Sequence, residues 1–524
     1  MCFCEAIISH DSLDGNEFAC TFGKPKEKFF SLQNYTSITK KIPENARFKK
    51  KIIDTAATFA VQLLQILRRC PVNLPHKEGI MYKFRQDFYA DVRIEDRFES
   101  TVSMKNGNIE QLNESAEKKA FIRVFDGKMW YYTSTSDVEN VQTALDELYL
   151  YATPNADIAS HPIVAKYQVN KDSKIIFADK SVKNVPIEQK LALVKSTCEK
   201  LSSPLCNLTV GTYLDRYSVY NFYSSKGADI TYDFQMTGER YGMALKCGEE
   251  NFSNNLRHAK LRFDELGFSD EEIAAFIAEG EDFVQNAQTV VAGSYPVVFA
   301  PTVTGVFAHE SFGHKSEADF MLGDENMAKE WVLGKKVGNE LLTIRESGMH
   351  LGSGYVPYDD EGTKCTDTYL IKNGVLCGRL HSATTAAALD EELTGNARAI
   401  NCDYEPIVRM TTTYVDKGES TPEELIADIK HGFYIKDYKH GSGMSTFTIA
   451  PNLAYEIVDG KIGKPVKIAV LTGNVFETLG LIDGVANDLT LVSFVGGGCG
   501  KMEQFPLNVA MGGPTIRISK MNVQ

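Results

Sequence analysis

The sequence predicts an α+β protein, with an α/β N-terminal part followed by a large antiparallel, β-rich C-terminal domain. Apolar and polar residues alternate between Phe84 and Trp130, as is typical of strands. Strand-like and helical segments then alternate to about residue 250, and beyond residue 300 strands and turns predominate. We expect an N-terminal extension at 1–80, an α/β domain at 81–290 and a β-rich domain at 291–524.

Composition and charge exclude several classes of partner. The chain has 524 residues, of which 43% are apolar and 24% are charged, as expected of a globular protein with two or three domains. Its formal net charge of -13 repels phosphate backbones and anionic lipid surfaces. The sequence therefore predicts that neither nucleic acid nor a membrane is a direct partner.

The spacing of the cysteines and the composition of the first residues indicate the cellular compartment of the protein. The eleven cysteines lack the dense, regular spacing of a disulfide framework, which favours a reducing compartment. The first residues have neither the basic nor the apolar region of a secretory signal, and the chain contains no run of about 18 apolar residues. We expect a cytoplasmic protein.

The first predicted element is an amphipathic helix at 47–70, where apolar side chains recur at helical spacing between basic ends. Basic ends also occur in helices that lie on a membrane surface, but Asp54, Gln62 and Gln65 interrupt this helix. A helix packed against the rest of the protein is therefore the preferred interpretation.

Turn and capping residues define the elements of the α/β part. The tract KNGN at 105–108 has the composition of a hairpin turn. A helix is expected at 137–152 with Asp137 as its N-cap. Ser269 and Glu272 have the spacing of a capping box ahead of a long helix.

The segment AHESFGHKSEADF, at 308–320, follows a predicted strand and carries the candidate chemistry. It places His309 beside Glu310, and His314 follows five positions after the first histidine. Imidazole nitrogens suit zinc, and an adjacent carboxylate can act as a base toward metal-bound water. The alternative is that ordinary histidines stand beside a glutamate by chance, which is expected in about one such chain in a hundred.

The spacing of the two histidines requires an irregular backbone if both are to bind one metal ion. Positions five apart on a regular α-helix diverge by roughly 140°, at about 100° per residue. Both rings can face one site only if the helix contains a π-bulge or ends before His314. We expect this irregularity around Phe312 and Gly313, because glycine adopts unusual dihedral angles at the least cost.

A zinc site with two histidines needs a third protein ligand, and the best candidate is Cys499 in the tract FVGGGCGKMEQF. A phosphate-binding loop is the alternative interpretation of this tract. Such a loop requires glycine where Val495 stands, and serine or threonine where Met502 follows Lys501. We therefore reject nucleotide binding.

Several stretches together resemble the TldD/PmbA family, also called modulator of gyrase proteins, and specifically its metal-bearing TldD branch. They follow in the family's order and cover nearly all of 290–522 and, more weakly, about 85–290. The stretches are VVFAPTVTGVFAHESFGHKSEADF, YDDEGT, LIKNGVLCG, LTGNARAINCDYEPIVRMTTTYV, IVDGKIGKPVKIAVLTGN and GGGCGKMEQFPLNVAMGGPTIRI. The resemblance implies the fold described above, with a short metal-binding helix in the β-rich domain.

The resemblance also implies roles for single residues. His309, His314 and Cys499 are the implied ligands of one zinc ion per chain, and Glu310 is the implied catalytic carboxylate. The family's PmbA (TldE) branch lacks these metal residues. This chain is therefore expected to be the catalytic subunit, paired with a PmbA/TldE-like subunit as a heterodimer or with itself as a homodimer.

Residues that contact the substrate are predicted less directly. Lys501 and Gln504 lie close to Cys499 and either orient it or bind substrate, although a lysine in a glycine-rich turn is more often solvated. His440 lies in a tract that matches the family only loosely, and it either lines the site or belongs to a turn. The acidic residues at 359–361 either support the metal ligands from behind or form a charged turn, and the turn is the preferred interpretation.

These residues predict a zinc-dependent metallopeptidase of the HExxxH type that cleaves short or unfolded peptides. Glu310 would accept a proton from a metal-bound water and pass it to the leaving amine. The β-rich half can hold a peptide as an added strand through main-chain hydrogen bonds, which favours broad specificity. Two alternatives stay open: a non-catalytic peptide-binding or regulatory protein with a structural metal, and a metal hydrolase that acts on another amide.

Overall fold

The structure, a computed structural model, describes residues 82–524. The helix predicted at 47–70 and the extension predicted at 1–80 lie outside the described residues. Residues 82–524 form one compact unit, and the predicted boundary between 81–290 and 291–524 stays a prediction. Within this unit, no helix is both long enough and apolar enough to cross a lipid bilayer.

The N-terminal sheet consists of β1 (Tyr89–Lys105), β2 (Asn108–Phe125), β3 (Trp130–Thr135), β4 (Lys171–Lys174), β5 (Cys206–Ser224), β6 (Asp229–Cys247) and β7 (Glu250–Lys260). The strand order is β3-β2-β1-β5-β6-β4, and β7 also pairs with β6. The turn predicted at 105–108 is confirmed, because Asn106 and Gly107 join β1 to β2 with φ angles of 47° and 79°. Positive φ at both positions is the reason that Asn-Gly favours this hairpin turn.

The helices of this part are α1 (Val141–Tyr149), α2 (Pro162–Lys166), α3 (Ile187–Cys198) and α4 (Asp270–Asn286), with 3-10 turns at Ile158–Ser160, Ala178–Lys180, Val182–Asn184 and Phe263–Glu265. The prediction that Asp137 caps a helix at 137–152 was wrong. The helix begins after Asn140, whose side-chain amide donates a 2.8 Å hydrogen bond to Asp137, so Asp137 stabilises the preceding turn instead. The capping box of Ser269 and Glu272 is confirmed at the start of α4.

The strands of the C-terminal part are β8 (Gln288–Thr289), β9 (Gly293–Phe299), β10 (Ile344–Ser347), β11 (Asp367–Lys372), β12 (Val375–Leu376), β13 (Ala397–Arg398), β14 (Ile407–Val408), β15 (Thr412–Val415), β16 (His431–Gly443), β17 (Thr446–Val458), β18 (Lys461–Lys467), β19 (Leu471–Asn474), β20 (Ile482–Val485), β21 (Thr490–Ser493), β22 (Cys499–Lys501), β23 (Gln504–Leu507), β24 (Ala510–Gly513) and β25 (Ile516–Val523). Most of the pairings are antiparallel, so the predicted α+β fold with a β-rich C-terminal part is confirmed.

Five of these strands close into a barrel. β9 pairs with β16 on one side and with β25 on the other, β25 pairs with β19, β19 pairs with β17, and β17 pairs again with β16. Phe299, Phe433, Phe447, Leu471 and Ile516 come from these strands and are buried in one hydrophobic core. Burial of these apolar side chains stabilises the barrel.

A second sheet, in the order β12-β11-β10-β15-β24-β21, faces the helical segment that follows β9. The helices of this half are α5 (Pro301–Phe307), a π-helix (Ala308–Gly313), a 3-10 turn (His314–Ser316), α6 (Asp319–Gly323), α7 (Glu325–Glu330), α8 (Ala383–Leu389), α9 (Pro422–Ile426) and α10 (Val475–Gly480). A Cβ atom at Gly305 would lie 2.9 Å from the backbone nitrogen of Gly512 in β24. Glycine therefore permits α5 to pack directly on this sheet.

Buried ion pairs connect the N-terminal sheet to the C-terminal part. Arg123 of β2 lies 3.3 Å from Glu361, and Arg93 of β1 lies 3.2 Å from Asp360. Asp359 accepts hydrogen bonds from backbone N–H groups of its own turn. The turn predicted at 359–361 is present, but the side chains of Asp359 and Glu361 are buried instead of solvated.

Candidate metal centre

A change of helix type brings the two histidines together. Helix α5 continues directly into the π-helix Ala308–Gly313, and the 3-10 turn that begins at His314 follows. Hydrogen bonds in a π-helix join residues five apart, so such residues lie on the same side. The ring centroids of His309 and His314 are 5.1 Å apart. The irregularity predicted around Phe312 and Gly313 is therefore confirmed.

Glycine is needed at position 313 for a different reason from the one predicted. Gly313 has φ of -57° and ψ of -53°, which any residue adopts in a helix. A Cβ atom there would instead lie 2.1 Å from the sulfur of Met410, whose side chain is completely buried. Gly313 leaves the space into which Met410 packs beside the two histidines.

We expect Gly313→Ala to destabilise the protein by about 1–2 kcal/mol, because the added methyl group would overpack Met410. Helix propensity alone favours alanine by about 1 kcal/mol, so the sign of the change reveals whether the clash dominates. Free energies of unfolding in urea would be measured for Gly313→Ala, Met410→Ala and the double variant. The two changes should partly compensate in the double variant, whereas a more stable Gly313→Ala protein would contradict the expectation.

Cys499 reaches the histidines from the distant hairpin β22–β23. Its sulfur lies 3.3 Å from Nε2 of His314. The ligand atoms of His309, His314 and Cys499 all lie within 4.8 Å of one another. Neighbouring ligand atoms of a tetrahedral zinc site lie about 3.5 Å apart, so the three donors fit a zinc-like ion. Nδ1 of His309 is buried and has no hydrogen-bond partner among residues 82–524.

The backbone of the hairpin is fixed by Arg409, a completely buried side chain. Its Nη2 donates a 2.8 Å hydrogen bond to the carbonyl oxygen of Cys499, and its Nη1 donates to that of Gln504 at 3.2 Å. Arg409 thus holds the cysteine in position through the main chain.

The ionisation of the three side chains is coupled. Burial alone would raise the pKa of the Cys499 thiol, but the neighbouring imidazoles of His309 and His314 outweigh burial and lower this pKa to about 5. Burial alone would lower the pKa of both imidazoles. The charge of Cys499 reverses this effect for His309, and the charges of Glu317 and Cys499 reverse it for His314, so both pKa values are raised. The cysteine is therefore a thiolate at neutral pH, as metal binding requires.

A buried chain of charged groups orients His314. Its Nδ1 lies 3.2 Å from Oε2 of Glu317, and the same carboxylate oxygen lies 3.1 Å from Nζ of Lys501. Lys501 also donates to Asp319 at 2.7 Å and to the carbonyl oxygen of Val408 at 2.9 Å. Carboxylates behind ligating histidines fix the ring and its tautomer. Sequence reasoning missed Glu317, although it stands only three residues after His314, directly beyond the 3-10 turn.

Glu310 stands at the edge of this cluster. Its Oε2 lies 4.0 Å from Nε2 of His314. Burial raises the pKa of Glu310, and the two imidazoles oppose this rise. A Cβ atom at Gly441 of β16 would lie 3.1 Å from Cγ of Glu310, and one at Gly443 would lie 2.6 Å from its carbonyl oxygen. These glycines therefore permit β16 to pass directly beside the carboxylate.

The remaining predicted site residues have different surroundings. Lys501 is buried and contacts protein groups, as described above. Gln504 is also buried: its Oε1 accepts from the backbone N–H of Ile400, and its Nε2 donates to the carbonyl oxygen of Glu405. His440 is exposed on β16. A direct contact of any of the three with substrate stays a prediction.

Comparison with protein families identifies two matching regions. The family model described as PmbA/TldA metallopeptidase C-terminal domain matches residues 292–524. A second model, PmbA/TldA metallopeptidase domain 1, matches residues 90–152. Both regions lie within the described residues, and the first contains all three side chains of the cluster.

Individual relatives cover most of the chain. A metalloprotease of Synechocystis sp. is 31% identical over 465 residues, which are 85% of this chain and 96% of that protein. A zinc metalloprotease TldD homolog of Saccharolobus solfataricus is 26% identical, covering 83% of this chain and 96% of that protein. TldE from Thermococcus kodakarensis has a similar fold, with a TM-score of 0.65 at 16% identity over 83% of this chain and 96% of that chain.

Proposed function

Because the chain belongs to the PmbA/TldD family of metallopeptidases, we propose that it is a zinc-dependent peptidase that cleaves short or unfolded peptides with broad specificity. One observation carries this proposal. The donor atoms of His309, His314 and Cys499 converge within 4.8 Å of one another, and Glu310 lies beside them. This combination supports a metal site with an adjacent base.

The three donors are proposed to hold one metal ion, and the remaining residues to prepare the reaction. When bound, a zinc-like ion supplies Lewis acidity, which makes a water molecule more acidic and polarises a peptide carbonyl group. Glu310 accepts the proton of the attacking water and donates it to the leaving amine. Lys501 and Glu317 keep His314 oriented through their buried contacts.

Strand β16 is the proposed binding site for the peptide main chain. It pairs with β17 along its length, whereas β9 pairs with it only at Phe433, Tyr434 and Ile435. Its last residues therefore have a second edge without a strand partner among residues 82–524, and they reach Glu310 through Gly441 and Gly443. Main-chain pairing along this edge would place many different sequences beside the base.

The proposed assembly is a pair of related subunits in the cytoplasm. A PmbA/TldE-like protein is the proposed partner, and the shared fold with TldE is consistent with two subunits of the same architecture. A homodimer is the alternative. In either assembly this chain contributes the metal residues.

The competing proposal is a regulatory or peptide-binding protein with a structural metal. A structural zinc site normally contains four protein ligands, whereas a catalytic one contains three and an open position. Among residues 82–524, the clustered donors are His309, His314 and Cys499. This donor count and the adjacent Glu310 favour a catalytic site.

Removal of the metal provides the direct test. We expect the purified chain, alone or with a PmbA/TldE-like partner, to contain about one zinc per chain and to cleave an unstructured peptide. A chelator should abolish cleavage, and added Zn²⁺ should restore it, because the proposed reaction depends on the ion. Mass spectrometry of the products and elemental analysis of the protein are the measurements. Full cleavage by metal-free protein would exclude the proposed function.

A further inference from the structure

A cavity of about 40 Å³ lies between the N-terminal sheet and three stretches of the C-terminal part, at 355–360, 398–400 and 507–508. Such a volume holds about three water molecules or a small anionic group. Tyr220, Tyr232 and Phe234 of the sheet line one side, and Arg398 and Leu507 belong to the opposite side. The cavity thus combines aromatic rings with a buried cation.

Arg398, like Arg409, is a buried arginine without a carboxylate partner among residues 82–524, in contrast to two other buried arginines. Arg93 and Arg123 form ion pairs with Asp360 and Asp91. Arg398 is 6% exposed and forms no ion pair among residues 82–524; it donates to the carbonyl oxygens of Met410 and Asn508. Burial lowers the pKa of Arg398, and the charge of the nearby Asp360 carboxylate opposes this effect only in part.

Two further charged residues line the cavity, and both already have partners. Arg216 pairs with Glu99. Asp360 pairs with Arg93 and accepts the backbone N–H of Ala399. The guanidinium of Arg398 has donors left for a ligand, since an arginine has five N–H groups and two of them go to carbonyl oxygens.

The cavity adjoins the metal centre. Leu507 lies opposite Cys499 in the β22–β23 pairing, so the two residues are separated by one strand spacing of about 5 Å. The carbonyl group bound by Arg398 belongs to Met410, which packs against Gly313 between the histidines. The cavity therefore borders the hairpin that carries Cys499.

We propose that this cavity binds a carboxylate group of the peptide substrate through Arg398. This proposal deepens the proposed peptidase function and rests on it. Arginine is the side chain best suited to a carboxylate, because its planar N–H groups match both oxygens. A peptide carries such a group at its C-terminus and on aspartate or glutamate side chains. The protein's net charge of -13 would disfavour acidic peptides, so a preference for them would require a local site.

Binding to the full-length Glu310→Gln chain with its metal tests this proposal without depending on turnover. One fluorescent, unstructured peptide would be made in four forms: a free acid or an amide at the C-terminus, each with aspartate or asparagine at one internal position. Fluorescence anisotropy would give the Kd of each. We expect loss of the recognised carboxylate to weaken binding about tenfold or more. If the C-terminal amide weakens binding, the recognised group is the C-terminal carboxylate; if the internal asparagine weakens binding, it is the side-chain carboxylate.

Variants of the cavity complete the test. Arg398→Gln should remove the difference between the acid and neutral peptides. If that variant does not fold, Arg216→Gln, which alters a partly exposed lining residue, should reduce the difference about twofold to fivefold. Equal Kd values for all four peptides, within twofold, would overturn the proposal. Cleavage by the unmodified chain is measured in parallel, so carboxylate-dependent binding without cleavage would overturn only the peptidase function.

Discussion

Replacing Glu310 by glutamine is expected to lower kcat for peptide cleavage by about 10²–10⁴-fold while the metal stays bound. The amide keeps the size of the side chain but cannot accept a proton from water. The metal should remain because its proposed ligands are His309, His314 and Cys499. Single-turnover cleavage of an unstructured peptide and elemental analysis of the same sample would measure both properties.

Glu325→Gln is the matched control for this variant. Glu325 belongs to α7 in the same half of the protein, and its side chain is 92% exposed. This control should cleave at the rate of the unmodified chain. Equal cleavage by Glu310→Gln would exclude the proposed base, and loss of metal from it would identify Glu310 as a ligand instead.

Replacing Cys499 by serine is expected to weaken zinc binding by at least about 100-fold. Loss of a residue that only orients a ligand weakens metal binding by about 10–100-fold, and loss of a ligand itself should have at least the larger effect. The pKa of Cys499 is about 5, so the thiolate is present at neutral pH, whereas a serine hydroxyl group remains protonated. Zinc affinity would be measured by competition with a chelating dye. Cleavage should decrease together with zinc occupancy.

The same measurement has a pH dependence of defined sign. The raised pKa values of His309 and His314 keep these rings protonated to higher pH in the metal-free protein. Metal binding displaces these protons, so affinity should fall as pH decreases. Protonation of the Cys499 thiol should add to this fall only below about pH 5. In Cys499→Ser this last contribution should be absent.

Cys365→Ser is the matched control, because Cys365 is also a buried cysteine and accepts a 2.9 Å hydrogen bond from the backbone N–H of Gly348. It should retain its zinc, even if its stability decreases. Equal zinc loss in both variants would show that the effect arises from damage to the core and not from a lost ligand.

Local sequence signals predicted the parts of the fold and of the site that depend on neighbouring residues. The Asn-Gly turn at 106–107 and the capping box at Ser269 follow from backbone preferences over a few positions. The five-residue spacing of His309 and His314 likewise predicted a backbone irregularity, because a regular helix directs the two rings apart. Asp137 was assigned wrongly as a helix cap, since the same residue type also stabilises turns that precede a helix.

Contacts between distant segments could not be predicted in this way. Lys501 suggested a solvated turn residue, yet it is buried because Glu317 and Asp319 provide compensating charge. The contact of Gly313 with Met410 likewise depends on β-sheet packing far along the chain. Arg398 gave no local signal at all, since the cavity that it lines is formed by the N-terminal sheet and three separate stretches of the C-terminal part.

The separation of the metal residues along the chain has a consequence for protein synthesis. His314 and Cys499 are 185 residues apart. At a translation rate of about 5–20 residues per second, the ribosome adds Cys499 roughly 10–40 s after His314. A nascent chain that already carries Glu310 and both histidines therefore lacks the thiolate. Under the proposed function, the enzyme would be unable to cleave unfolded segments emerging beside it until its own tertiary structure has assembled.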